Sequence, residues 1–132
     1  MAELPRRSLL RAAWPPVAWA GLIFWLSHQS RPIGNVRLFT HADKLAHAAA
    51  FGILAALAAR AFGAAAWGAR RILLAAVLSA SLYGVADEWH QSFVPGRDPD
   101  PWDWAADTAG ALAGAAAAVG LPRRKSRASI RG

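Results

Sequence analysis

The 132-residue chain has no cysteine, a single methionine and a single tyrosine. Without cysteine there is no disulfide framework, no thiolate nucleophile and no cysteine-based zinc site, so cysteine usage says nothing about the redox compartment. The sequence also lacks the His-Glu-x-x-His pattern of zinc hydrolases and the Gly-x-Ser-x-Gly nucleophile elbow. Acidic residues are few: 8 Asp and Glu stand against 15 Lys and Arg, a formal net charge of +7. That excess does not describe a nucleic-acid surface, because the basic residues sit at the two termini and in one short central loop, where juxtamembrane charges belong. No nucleic-acid partner is expected.

Hydrophobic residues make up 55% of the chain and gather into long blocks, with the charges in the gaps. Such segregation is a membrane signature, and makes the lipid bilayer the first partner. The blocks cover residues 12–27, 45–62, 72–93 and 104–121. Each is far longer than a membrane strand of ~10 residues and none alternates polar with apolar, so the expected fold is all-α, a polytopic transmembrane bundle of about four helices. One membrane domain, 12–121, is then flanked by basic segments 1–11 and 122–132. Trp14, Trp19 and Trp25 extend the short first block as interfacial anchors. No small-x-small cleavage site follows it, which favours an uncleaved helix over a signal peptide. Pro122 ends the fourth block.

An even number of spans with both termini cytoplasmic places Arg60, Arg70, Arg71 and the basic termini inside, and leaves only Arg31, Arg37, Lys44 and Arg97 outside. The positive-inside rule selects that orientation in the cytoplasmic (plasma) membrane. Every acidic residue except Glu3 then lies at the outer face. Acidic residues contribute little to orientation, so their asymmetry needs another cause.

Three helix ends carry polar pairs one turn apart, which puts both members on one helical face. Asp43 and His47 enter the second helix, Glu88 and Gln91 leave the third with Asp87 and His90 beside them, and Asp103 and Asp107 enter the fourth. An ionisable group in lipid costs roughly 3 kcal/mol or more, so such groups face a partner, a water cavity or a functional site. Capping and helix-dipole effects are the alternative for Asp43 and Asp103, and ordinary ion pairing for Lys44 and Arg97. Pro95 and Gly96 break the third helix, and Arg97 follows at the expected mouth of the cluster, with a guanidinium suited to carboxylate or phosphate. Small residues recur every fourth position at Ala48, Gly52 and Ala56 and at Ala106, Gly110 and Gly114. They allow close backbone approach, either between these two helices or in a homodimer through the Gly110/Gly114 face.

The residues Asp43-Lys44-Leu-Ala-His47, Tyr83-Gly84-x-x-Asp87-Glu88-x-His90-Gln91-x-Phe93-Val94-Pro95-Gly96-Arg97 and Asp103-x-x-Ala-Asp107-x-x-Gly110-x-x-x-Gly114 together resemble the VanZ-like family. The likeness covers most of residues 20–120 and implies an integral membrane protein. The family takes its name from a member linked to resistance to the glycopeptide teicoplanin, but membership does not imply antibiotic resistance. Pro99 and Pro101 are less usual for its third loop.

Three functional classes remain. The first is recognition or modification of a lipid-linked or lipid-tailed cell-envelope component, through Asp43, Lys44, His47, Glu88, Gln91, Arg97, Asp103 and Asp107. The second is an acid–base or metal-assisted hydrolase, in which His47, Glu88 and Asp107 are the catalytic candidates and Asp43, His47, Glu88, His90 and Asp107 can ligate a divalent metal. Proton-coupled transport is the third, and an almost wholly apolar cytoplasmic half disfavours it.

Overall fold

A computed structural model describes residues 6–29 and 41–120. Four helices follow in order: α1 (Arg6–Ser27), α2 (Ala42–Gly63), α3 (Ala69–Gln91) and α4 (Pro101–Gly120). The fold is all-α, as its sequence pattern predicts, with no strand among the described residues. The basic segment 122–132, Arg31 and Arg37 lie outside the described residues. The first three helices are long and apolar enough to cross a membrane. The 20 residues of α4 reach about 30 Å, a bilayer thickness. By composition α4 does not join them, because Ala and Gly present little apolar surface and Asp103 and Asp107 add charge.

All four helices start ahead of their hydropathy blocks, by 3 residues in α2, α3 and α4 and by 6 in α1. α4 begins at Pro101 because the Asp100 carboxylate accepts the Trp102 N–H at 2.9 Å and caps the first turn, while Pro101 fills the first helical position, where no N–H is needed. α1 extends back to Arg6 through Pro15 and Pro16. Charge ends a hydropathy block but does not end a helix, so block and helix need not coincide.

The interior is built from small residues. Ala55, Ala76, Ala111 and Ala115 are wholly buried, whereas Leu10, Val17, Leu82 and Trp89 face outward with more than two-thirds of their surface exposed. In water such a surface would be an aggregation liability; in lipid it is the favourable arrangement. The closest packing joins α2 to α4. A Cβ added at Gly110 would lie 2.0 Å from the Ala48 carbonyl oxygen, and one at Gly114 would lie 1.9 Å from that of Gly52. The two contacts advance together along both chains, so α2 and α4 run parallel. Their pairing is the one expected from the small-residue spacing. The Gly110/Gly114 face is thus occupied by α2 of the same chain.

α1 is tied on by side-chain bonds to backbone. Trp19 Nε1 donates to the Ala50 carbonyl at 2.9 Å, and the Tyr83 hydroxyl donates to the Ala20 carbonyl at 2.6 Å. Each satisfies the one polar group of a largely apolar ring.

Gly114→Ala places a methyl group inside the distance of closest approach and forces α2 and α4 apart. We expect a loss of about 1–3 kcal/mol, read as a fall in the thermal unfolding midpoint in detergent. Gly120→Ala, where no atom lies within 4 Å of the added carbon, should leave the midpoint unchanged.

Candidate functional site

The parallel run of α2 and α4, with α3 antiparallel between them in sequence, brings the start of α2, the end of α3 and the start of α4 to one end of the bundle. Two connected groups of polar side chains form there.

The outer group centres on Lys44. Its ammonium bonds Asp100 Oδ2 at 2.7 Å and Asp43 Oδ2 at 3.1 Å, and makes a closer ion pair with Asp103 Oδ1. The Lys44 hydrogen bond holds the Asp100 carboxyl below the usual carboxylate range, and the Trp102 N–H adds to the effect. Asp103 therefore serves Lys44 from the first turn of α4. Asp43 also turns to Lys44, and α2 starts without a side-chain cap, after His41 in the left-handed region at φ 70°.

The inner group contains His47, Glu88 and Asp107. His47 Nδ1 lies 2.8 Å from Asp107 Oδ1, and the Asp107 side chain is completely buried. His47 Nε2 is 3.6 Å from Asp103 Oδ2, beyond hydrogen-bond distance. Glu88 Oε2 accepts the Asp100 backbone N–H at 2.8 Å. The remaining oxygens Asp107 Oδ2 and Glu88 Oε1 are buried without a hydrogen-bond partner. One ligand atom from each of His47, Glu88 and Asp107 lies within 4.8 Å of the others, close enough for small side-chain movements to bring all three onto one metal ion. Gly84 makes room for this group: a Cβ there would stand 3.1 Å from Asp107 Oδ2 and 3.2 Å from the Trp104 ring.

Most of the residues singled out in the sequence meet at this end, in separate parts. Asp43, Lys44 and Asp103 belong to the outer group; His47, Glu88 and Asp107 belong to the inner one. Gln91 is buried beside Asp87, its amide nitrogen 3.4 Å from Asp87 Oδ2. Two residues sit elsewhere. Arg97 donates through Nε to the Gln29 carbonyl at 3.0 Å and through Nη2 to the Leu26 carbonyl at 3.2 Å, closing the C-terminal end of α1 instead of opening towards an anion. His90 faces α1, with Nε2 3.3 Å from His28 Nδ1 and its ring against Phe24.

Asp100 was missed as a site residue, although it binds Lys44 and orients Glu88. The signal was available: Asp followed by Pro, ahead of a helix, marks an N-cap with Pro at the first helical position.

These features define a polytopic helical membrane protein with a histidine–carboxylate cluster around the buried Asp107 at one end of its bundle. The VanZ/LLP1 family model matches residues 8–121, and the chain belongs to that family. No curated protein and no solved structure matches it.

Because the folded state lowers the Asp100 pKa, its ion pair stabilises fully above the ordinary Asp range and is lost as pH falls through the lowered value. Carbon-detected NMR titration should find Asp100 titrating below a free Asp in the wild type. It should move up towards the free value in Lys44→Met.

Proposed function

We propose that this protein recognises or modifies a lipid-linked or lipid-tailed component of the cell envelope, with His47 and Asp107 as its acid–base pair and Glu88 beside them. The observation that carries this reading is the Asp107 carboxylate, closed from solvent, 2.8 Å from His47 Nδ1 through one oxygen and unpartnered at the other. A buried carboxylate on one imidazole nitrogen fixes the tautomer and the ring orientation, and leaves Nε2 for proton transfer. The Asp100 N–H holds Glu88 by one oxygen, leaving the second for a reacting group.

The lipid-bearing ligand follows from where the cluster stands. It lies at the ends of apolar helices, where a molecule with an acyl or prenyl tail arrives along the bilayer and presents its head at the boundary. The positive-inside rule puts this end outside and both termini in the cytoplasm of the plasma membrane. Transport is disfavoured because the buried residues of the opposite half, Ala59, Ile72, Ala76 and Ala115, offer no polar path.

The test is incubation of the detergent-solubilised full chain with an envelope lipid extract, followed by mass spectrometry of retained and altered lipids. Modification should fall about 100-fold or more in His47→Gln and Asp107→Asn, the usual weight of an acid–base group. Retention without alteration would reduce the function to recognition, and a wild-type chain that neither retains nor alters any lipid would refute the proposal. Orientation has its own measurement: a reporter fused after Arg131 should be active on the cytoplasmic face, and activity outside would reverse the topology.

A further inference from the structure

We propose that His47, Glu88 and Asp107 form a divalent transition-metal site, for Zn²⁺ or Mn²⁺. This deepens the reading of the cluster as a reaction centre, rests on it, and makes His47 a ligand in the metal-loaded state in place of proton transfer at Nε2. Three independent features of the inner group point to a cation.

The first is geometry. The three residues come from three different helices, yet one ligand atom of each lies within 4.8 Å of the other two. Metal bonds of about 2.0–2.2 Å set tetrahedral ligand atoms roughly 3.3–3.6 Å apart, so a bound ion draws the three side chains slightly closer.

Unmet valence is the second. Asp107 is 0% exposed and its Oδ2 has no hydrogen-bond donor; Glu88 Oε1 is likewise buried and unpartnered. A buried carboxylate oxygen with no donor is costly unless a cation or proton completes it. The other oxygen of each carboxylate is already held, by His47 and by the Asp100 N–H. The Asp100 N–H is thereby an outer support for Glu88, since a bonded partner from outside the ligand set fixes a ligand's orientation.

The third is charge. Asp43, Asp87, Glu88, Asp100, Asp103 and Asp107 meet at this end, and Lys44 is the single Lys or Arg paired with any of them among the described residues. Arg97 is spent on α1 carbonyls. A divalent ion offsets the excess. It also supplies the positive charge that a phosphate-bearing lipid head would otherwise lack at this site.

The donor set selects the ion. One imidazole nitrogen and two carboxylates suit Zn²⁺ or Mn²⁺, whereas Ca²⁺ takes 6–8 oxygen ligands. Three protein ligands leave a coordination position open, as in catalytic and not structural sites.

The test uses the detergent-purified full chain, stripped with chelator and dialysed against Zn²⁺ or Mn²⁺ alone, with bound metal measured by mass spectrometry. We expect about one ion per chain in the wild type and in Gly120→Ala, where the added carbon meets nothing within 4 Å. Asp107→Asn and Glu88→Gln should each weaken binding at least about 10-fold, with circular dichroism showing the helices intact. Co²⁺ titration of the wild type gives a measure that needs no variant: a saturable visible d–d band at one equivalent supports the site. Absence of that band together with less than about a tenth of an equivalent of Zn²⁺ or Mn²⁺ overturns it, as does binding undiminished in both variants. A metal-free chain that still alters lipid would overturn the metal site alone. A metal-loaded chain that neither retains nor alters lipid would overturn the lipid reading alone.

Discussion

Everything at the polar end depends on how closely α2 approaches α4. With Gly110 against the Ala48 carbonyl and Gly114 against that of Gly52, the two backbones touch where any side chain would hold them apart. Lipid gives helices no hydrophobic reason to associate, so dispersion between closely fitted backbones must supply much of the attraction. His47 immediately precedes Ala48, and Asp107 lies three residues before Gly110. The contact that seats the glycine therefore also sets the 2.8 Å separation of His47 and Asp107. The small-residue stripe is the support of the site, and its register is the site's register.

The arrangement has an energetic cost that the bundle carries elsewhere. Buried carboxylate oxygens without donors disfavour folding, and a carboxylate closed off as fully as Asp107 does so most. Against this stand the small-residue interior, the Trp19 and Tyr83 bonds that hold α1, and the Lys44 ion pairs. A chain selected for stability alone would place an apolar residue at 107, because replacing buried charge by a packed apolar side chain is often neutral or stabilising. That a charged residue stands there instead is what a reaction centre predicts.

Much of this was legible in the sequence, because the determining patterns are local. Four helices follow from block hydropathy, and the neighbours α2 and α4 from residues spaced by four. The three polar pairs follow from the same one-turn spacing. What escaped was set by long-range reach or by chemistry outside the hydropathy. Arg97 lies 68 positions from Gln29, and nothing in its neighbourhood says that its guanidinium will close α1. His90 shares a turn with Glu88 but projects from another face of α3, towards His28. The start of α4 was displaced because Asp-Pro reads as loop by hydropathy and as a cap by hydrogen bonding. A homodimer surface and an internal contact leave the same small-residue spacing, so only the fold distinguishes them.

The acidic residues that looked alike in sequence divide sharply by their partners. Asp43, Asp100 and Asp103 share one ammonium, and Asp100 also caps α4. Helix capping and ion pairing account for these three, so a structural role suffices for them. Glu88 and Asp107 each keep a buried oxygen that no donor reaches, whereas the Ser27 hydroxyl and the Gln91 amide serve Asp87. No capping or pairing role explains an oxygen left in that state. If the acidic end had been built only to join helices, the spare oxygens would have been matched with donors, as the Ser81 and Thr108 hydroxyls match each other across α3 and α4 at 2.9 Å. The unmatched set therefore separates the residues that hold the bundle from those that need something more to complete them.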